Sequence, residues 1–167
     1  MKSLLAALFL TLSALATPFA AAAQPLQATI RVDAPVFVIR HLQKGPGADP
    51  ALTAEGTAKA ERLAAMLKEK GIKAIFATPT RRAMETGEPL ARALGLKVTP
   101  YDPSNVAALA VAVRAAGGPV LIVGHSNTVP ELVALFGGVR PAPIGDDDYG
   151  LLFEVAPDGK VISTPVR

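Results

Sequence analysis

The stretch Val36-Phe37-Val38-Ile39-Arg40-His41 determines the fold class predicted for this chain. Four apolar residues, three of them β-branched, are followed directly by an arginine and a histidine. A short apolar run of this kind is typical of a parallel strand that is covered on both faces. Ligands of open α/β sheets lie just beyond the carboxyl ends of the strands. Arg40 and His41 are therefore candidates for a functional site.

Two further strands are predicted to end in the same way. The apolar run Pro119–Val123 leads through a glycine to His125, so each of the two histidines of the chain follows a buried-strand pattern. The run Lys73–Ala77 is followed by Arg81 and Arg82. Helical patterns alternate with these strands, which predicts a three-layer α/β/α sandwich with a mostly parallel central sheet.

The helices and the last strands have local signals of their own. A helix is predicted over residues 54–70 with Thr53 as its N-cap. Gly87 and Pro89 are expected to interrupt the helix that follows the second strand, because proline removes a helical hydrogen bond. Residues 157–159, Pro-Asp-Gly, predict the turn of a β-hairpin close to the end of the chain.

Composition excludes several functional classes. The 167 residues suggest one domain, and half of them are hydrophobic. Cysteine is absent, which excludes disulfides and thiolate nucleophiles, and two histidines without cysteine argue against a structural zinc site. The formal net charge is +3, or +2 without Lys2, and no basic stripe with interleaved aromatic residues occurs. We therefore expect no nucleic-acid partner.

Residues 1–23 resemble a secretory signal peptide. The apolar stretch Leu4–Ala16 follows a positively charged start, and Ala21–Ala23 matches a small-residue cleavage site. An uncleaved anchor is the alternative, but the apolar stretch is shorter than the roughly 20 residues that span a bilayer. We predict cleavage before Gln24 and a single exported domain over residues 24–167. This domain would be periplasmic or secreted, with no membrane span after cleavage.

The polar residues at the three strand ends suit one kind of ligand. Parallel strands would bring two arginines and two histidines together at one edge of the sheet, where they would attract anions. Arginine donors match the oxygens of phosphate, and a phosphomonoester carries a charge of about −1.5 to −2. A neutral imidazole can attack phosphorus and form a phosphohistidine. Arginines can stabilise the transferring group electrostatically, so the chemistry requires neither a metal nor another cofactor.

In these features the chain resembles the histidine phosphatase superfamily, which includes the phosphoglycerate mutases. Four motifs in the expected order carry the resemblance, and together they are far more specific than any one alone. The motifs are Arg40-His41, Leu52-Thr53-x-x-Gly56, Thr78-Pro79-x-x-Arg82-Ala83-x-x-Thr86 and Gly124-His125-Ser126. The resemblance implies a phosphoglycerate mutase-like α/β/α fold and the activity of a phosphoric monoester hydrolase of the histidine acid phosphatase type.

The resemblance also implies roles for individual residues. His41 would be the phosphorylated nucleophile, and Arg40 and Arg82 would hold the phosphoryl oxygens. His125 would contact the phosphoryl group and help to stabilise the transition state. Arg82 is preferred to Arg81 because its spacing fits the family pattern, and Arg81 is the alternative.

Other positions have two interpretations. Lys44 and Ser126 are predicted to bind substrate, although Lys44 fits a solvated loop equally well. Asp102 is a candidate proton donor or, more simply, a turn aspartate, and the acidic run 146–148 is most simply a solvated loop. Leu42 departs from the glycine or alanine that many family members have there, so the turn after His41 is expected to differ.

These observations favour an exported, metal-independent phosphatase that forms a phosphohistidine on His41. The alternative is a catalytically weak module that binds phosphate or a phosphorylated ligand on the same fold. A mutase is disfavoured because the chain has little insertion to enclose a substrate. The partner would be a small phosphorylated substrate or a phosphorylated macromolecule. Its identity would depend on the loops at residues 43–51, 100–106 and 139–149, and the sequence leaves the oligomeric state open.

Overall fold

The fold is an α/β sandwich around a single six-stranded sheet. The computed structural model of the protein describes residues 30–167, and the predicted signal segment lies outside the described residues. The strands are β1 (Val36–Arg40), β2 (Ala74–Ala77), β3 (Val98–Pro100), β4 (Val120–Gly124), β5 (Leu151–Val155) and β6 (Val161–Pro165). The helices are α1 (Ala54–Leu67), α2 (Arg81–Leu94), α3 (Val106–Ala115) and α4 (Val129–Leu135).

The sheet is mostly parallel, as predicted. Its strand order is β3-β2-β4-β1-β5-β6, in which the first four strands are mutually parallel and β5 runs antiparallel to both of its neighbours, β1 and β6. Arg40 at the end of β1 lies level with Gly124 at the end of β4, and Ala77 of β2 lies level with Val123. The carboxyl ends of three strands therefore meet at one edge, where the sequence predicts the site. The hairpin formed by β5 and β6 confirms the turn predicted at residues 157–159.

Each face of the sheet carries its own apolar core, which gives the three predicted layers. One cluster joins alternate residues of the central strands, such as Ile39 and Val123, to α1 and α2. The second cluster joins the residues that point the other way, such as Val38 and Ile122, to α3 and α4. Because successive side chains of a strand point to opposite faces, one continuous apolar run supplies both clusters.

Helix α2 corrects one prediction, because it runs without interruption from Arg81 to Leu94 with Pro89 inside it. Pro89, Leu90 and Ala91 are all buried, and the last two belong to the apolar cluster beneath α1 and α2. A proline inside a helix removes one hydrogen bond and costs about 3 kcal/mol. Burial of this apolar face offsets that cost, and a local rule for proline cannot include the tertiary contribution.

Helix α1 agrees with its predicted start but ends three residues earlier, at Leu67 rather than position 70. The Thr53 hydroxyl accepts a hydrogen bond from the Gly56 amide at 3.1 Å, which confirms the predicted N-cap. Within residues 30–167, no helix is both long and apolar enough to cross a membrane.

Candidate active site

Two histidines and two arginines converge at the carboxyl edge of β1, β2 and β4, and this group of side chains is hereafter called the pocket. The ring centroids of His41 and His125 are 5.3 Å apart and their planes are inclined by 67°. The positive charges of Arg40 and Arg82 act on the pKa values of both histidines. The structure thus brings together the four side chains that the sequence analysis assigned to catalysis.

His41 is buried and held in one tautomer. Its Nδ1 lies 2.9 Å from the carbonyl oxygen of Leu42, which can only accept a hydrogen bond, so Nδ1 carries the proton. In the neutral ring, Nε2 then keeps its lone pair and can act as a nucleophile. The pKa of His41 is lowered to about 4: burial is the largest cause, the Leu42 hydrogen bond opposes it, and the charges of Arg82, His125 and Arg40 add to the lowering. The imidazole is consequently neutral over most of the physiological pH range.

Leu42 is an apolar anchor for the turn after His41. Its side chain is fully buried in the core beneath α1 and α2, and no residue other than glycine has a positive φ within residues 30–167. The Leu42 amide donates to the hydroxyl of Thr86, which in turn donates to the carbonyl of Arg82. The buried Thr86 therefore links the turn after His41 to the first turn of α2.

The start of α1 packs tightly against the same loop. A side-chain carbon at Gly56 would lie 2.2 Å from the carbonyl oxygen of Gln43, so this close approach requires glycine. The Thr53 amide donates to that same carbonyl at 2.9 Å. The motif from Leu52 to Gly56 therefore supports the loop that follows His41.

Arg40 is held by the loop before β5. Its Nη1 donates to the carbonyl oxygens of Gly145 at 2.6 Å and Asp148 at 3.0 Å. The ring of Tyr149 covers the guanidinium at 4.1 Å, and the same ring lies 5.8 Å from that of His41. Arg40 Nε is buried and has no hydrogen-bond partner among the described residues.

Arg82 also presents a buried Nε without a partner in the described part of the chain. Its Nη1 lies 3.6 Å from Oδ1 of Asp49, a half-exposed residue in the loop after His41. The same oxygen accepts a hydrogen bond from the Arg81 amide at 2.9 Å and so caps α2. The side chain of Arg81 is exposed and pairs with Glu85 one turn later. Of the two candidate arginines, Arg82 is thus the one at the pocket.

His125 is placed by two threonines. Its Nε2 lies 2.8 Å from the hydroxyl of Thr78, and its amide donates to the hydroxyl of Thr128. A side-chain carbon at Gly124 would come within 2.6 Å of that second hydroxyl, so glycine permits the turn to fold back. Burial, followed by the charges of Arg82 and Arg40, lowers the pKa of His125. A second neutral imidazole therefore lies beside the ring of His41.

The remaining candidates are placed less decisively. Lys44 pairs with Leu52 through a backbone bridge, and its exposed side chain makes no hydrogen bond or ion pair within residues 30–167. Ser126 is half-buried in the turn after His125. The exposed Asp102 carboxylate accepts hydrogen bonds from the amide and hydroxyl of Ser104, which lower its pKa. These contacts favour the turn interpretation of Asp102 over a proton donor.

The acidic run at residues 146–148 is exposed, in agreement with its simplest interpretation. The contributions of Asp49, Thr86 and Tyr149 were not predicted from the sequence. Thr86 belongs to a quoted motif, but its partners lie far along the chain. A single aromatic residue in a loop of proline, glycine and aspartate was the available signal for Tyr149.

The fold and the pocket together indicate a class of protein. A neutral, oriented imidazole stands beside two arginines on the loop edge of an α/β/α sandwich, and the buried Nε donors of both arginines lack partners among residues 30–167. This combination is typical of a site that binds an oxyanion next to a nucleophile. Among residues 30–167, no three His, Asp or Glu side chains cluster as potential metal ligands.

Residues 39–103 match the sequence model of the histidine phosphatase superfamily (branch 1). This segment includes Arg40, His41 and Arg82, whereas His125 follows it. No curated protein matches the chain significantly.

Solved structures share the fold. The protein histidine phosphatase SixA in complex with tungstate is 24% identical, with a TM-score of 0.58 over 78% of this chain and 94% of its own. A putative phosphohistidine phosphatase SixA from Agrobacterium tumefaciens is 20% identical, with a TM-score of 0.59 over 79% of this chain and 96% of its own. A mycobacterial glucosyl-3-phosphoglycerate phosphatase with inorganic phosphate is 15% identical, with a TM-score of 0.59 over 79% and 95% of the two chains.

The superfamily match over residues 39–103 and the fold shared with these structures confirm the resemblance to the histidine phosphatase superfamily. They also confirm the predicted phosphoglycerate mutase-like fold. At these identities, the structural neighbours establish a common architecture, and the substrate and the mechanism have to be argued from the residues of this chain.

Proposed function

We propose that this protein is a metal-independent phosphatase that hydrolyses phosphomonoesters or phosphoramidates through a phosphohistidine on His41. The observation that carries the proposal is the orientation of the His41 ring. The hydrogen bond from Nδ1 to the Leu42 carbonyl leaves Nε2 as the free base, and the low pKa keeps it unprotonated. Proximity to two arginines supplies charge stabilisation for a phosphoryl group beside it.

The reaction would proceed in two displacements. Nε2 of His41 attacks phosphorus, the bond to the leaving oxygen or nitrogen breaks, and the phosphoryl group is carried on the ring. Water then attacks phosphorus, the P–N bond breaks, inorganic phosphate leaves and the neutral imidazole is restored. The Nε groups of Arg40 and Arg82, which have no hydrogen-bond partner in the described part of the chain, are suited to donate to the phosphoryl oxygens in both steps.

Leaving-group chemistry supports the inclusion of phosphoramidates. Both histidines of the pocket have lowered pKa values, and the Asp102 carboxylate is bound to Ser104 with a lowered pKa. None of these groups is tuned to protonate a poor leaving group near neutral pH. Activated aryl esters and phosphoramidates depend less on such an acid. The names of the two SixA neighbours, a protein histidine phosphatase and a putative phosphohistidine phosphatase, agree with this preference.

Hydrolysis of an activated aryl phosphate in excess chelator, with wild type beside His41→Ala, tests the proposal. We expect chelator-resistant release of phosphate by the wild type and a loss of at least about 10³-fold in the variant, because the covalent route requires the imidazole. Acid-labile labelling of the wild type after a rapid quench would mark the phosphohistidine. A His41→Ala protein of undiminished activity would refute the mechanism.

The same measurement separates the phosphatase from the binding module. If neither protein releases phosphate while inorganic phosphate still raises the melting temperature of the wild type, the pocket binds without turnover. We further propose that the protein is exported and that residues 1–23 are removed. Cell fractionation with N-terminal sequencing of the recovered protein would test both points, and an intact N-terminus in the cytoplasm would refute them.

A further inference from the structure

The loop before β5 supplies an aromatic ring that contacts the side chains of both Arg40 and His41. Successive side chains of a strand point to opposite faces of a sheet, so neighbours at a strand end normally diverge. Here the Tyr149 ring covers the Arg40 guanidinium at 4.1 Å and lies 5.8 Å from the His41 ring, tilted by 50°. A residue that contacts both side chains has to lie beyond the edge of the sheet, where this loop passes.

The contacts of Arg40 leave one part of its guanidinium available. Nη1 is committed to two loop carbonyls, and the aromatic ring covers one face of the group. Hydrogen bonds of a guanidinium lie in its plane, so covering the face does not block them. The buried Nε and the neighbouring Nη2 have no hydrogen-bond partner among the described residues, so this edge of the guanidinium remains free for an oxyanion. The ring and the carbonyls therefore fix the direction in which the free edge points.

We propose that Tyr149 is a positioning residue that aligns Arg40 and His41 for phosphoryl transfer by presenting its ring to both side chains at once. This inference rests on the proposed phosphatase function and adds a residue that neither the motifs nor the matched segment 39–103 contains. The two contacts are made by the ring, so the aromatic face rather than the hydroxyl group is the feature that matters.

Three variants test this role. Tyr149→Leu keeps apolar volume and removes the aromatic face, whereas Tyr149→Phe keeps the face and removes the hydroxyl. Phe136→Leu is a matched control, because it removes a buried ring at the far end of α4 in the second apolar cluster. We expect Tyr149→Leu to lose roughly ten-fold in both kcat and affinity for inorganic phosphate, and Tyr149→Phe to recover most of the loss. Phe136→Leu should lower the melting temperature and leave phosphate affinity within about two-fold.

A measurement on the ligand-free protein separates this inference from the proposed function. The chain has only two histidines, so both imidazoles can be followed by NMR through a pH titration. Burial is the main cause of the lowered pKa of His41, and the charged or titratable groups near its ring are Arg82 from α2, His125 from the turn after β4 and Arg40 from the end of β1. Loss of the Tyr149 ring should expose His41 and raise its pKa, with a smaller change at His125. Phe136→Leu should leave both titrations in place.

The outcomes are distinct. Unchanged phosphate affinity and an unchanged His41 titration in Tyr149→Leu would overturn the inference, and so would equal losses in Tyr149→Leu and Tyr149→Phe. If the wild type shows no turnover but the His41 titration still shifts only in Tyr149→Leu, positioning stands and the phosphatase proposal fails. Should Tyr149→Leu not fold, Tyr149→Met offers an unbranched side chain that adapts to irregular space and gives the same readouts.

Discussion

Arg40 and Arg82 each bring a guanidinium to the pocket, but the end of β1 and the first turn of α2 hold that group differently. Arg40 stands at the end of a central strand, is only 6% exposed and is fixed by two loop carbonyls and an aromatic ring. Arg82 stands in the first turn of α2, and its side chain is 18% exposed. The polar contact of its guanidinium with the described residues is a 3.6 Å approach to the half-exposed Asp49.

The proposed anion site therefore combines a fixed donor with an adjustable one. A guanidinium with several partners loses little freedom when an oxyanion arrives, whereas one held by a single long ion pair can follow the oxyanion. We therefore interpret the Arg40 region as the frame of the pocket and Arg82 as the donor that adapts. The following predictions test that distinction.

The largest effects are expected from removing each guanidinium. Arg40→Ala and Arg82→Ala should each reduce kcat/KM for an aryl phosphate by about 10² to 10³-fold, because each removes a charged donor from the transition state. Urea denaturation should distinguish them. The free energy of unfolding should fall by about 1–2 kcal/mol in Arg40→Ala, because the loop contacts of Arg40 are removed, and by less than about 1 kcal/mol in Arg82→Ala. Equal losses of stability would contradict the distinction between frame and adaptable donor.

Thr86→Val tests the buried link between the two regions. The Thr86 hydroxyl is fully buried between the Leu42 amide and the Arg82 carbonyl. Valine has nearly the same shape but leaves that amide without its acceptor, so the free energy of unfolding should fall by about 1–3 kcal/mol. Thr99→Val on the exposed edge strand β3 is the control and should stay within about 0.5 kcal/mol. A wild-type stability for Thr86→Val would show that water replaces the hydroxyl.

The pH dependence of activity should also separate the two arginines. In the proposed mechanism the neutral form of His41 is the nucleophile, so kcat/KM should be retained down to about pH 4, where His41 takes up a proton, and should fall below that pH. Removing a nearby cation makes protonation easier and moves this acidic limb to higher pH. Arg82 contributes more than Arg40 to lowering the pKa, so the limb should move further in Arg82→Ala. A limb near pH 6.5 in the wild type would show that His41 is not buried as described.

The smallest effect is expected from Asp49→Asn. Asparagine keeps an oxygen for the Arg81 amide and removes the negative charge beside Arg82. Since that carboxylate repels an incoming anion, inorganic phosphate should bind up to a few-fold more tightly at low ionic strength. The gain should shrink in high salt, because exposed charges are screened. Weaker phosphate binding by the variant would instead identify Asp49 as the residue that orients Arg82.

Local sequence signals predicted most of the elements of the fold. The apolar runs ending at Arg40 and Gly124 gave buried parallel strands, and Thr53 gave the start of α1. The prediction was wrong at Pro89, where burial of the helix face outweighs the missing hydrogen bond. At Leu42, where the turn was expected to differ from that of many family members, the side chain is buried and φ is not positive. The outcomes at Pro89 and at Leu42 both depend on packing between segments that are distant in the chain.

The sequence by itself determined which side chains reach the pocket, because strand periodicity and parallel pairing place the residue after each strand at one edge. Arg40, His41 and His125 follow from that rule, whereas Arg82 was preferred to Arg81 because its spacing fits the family motif. Tertiary structure alone decided how they are oriented: the free nitrogen of His41, the carbonyls and ring that hold Arg40, and the threonine that joins Leu42 to Arg82. Strand periodicity specifies which face of the sheet a side chain points to and which edge of the sheet it lies at. Hydrogen-bond direction depends on loops whose conformations are set by contacts more than 40 and often more than 100 residues away.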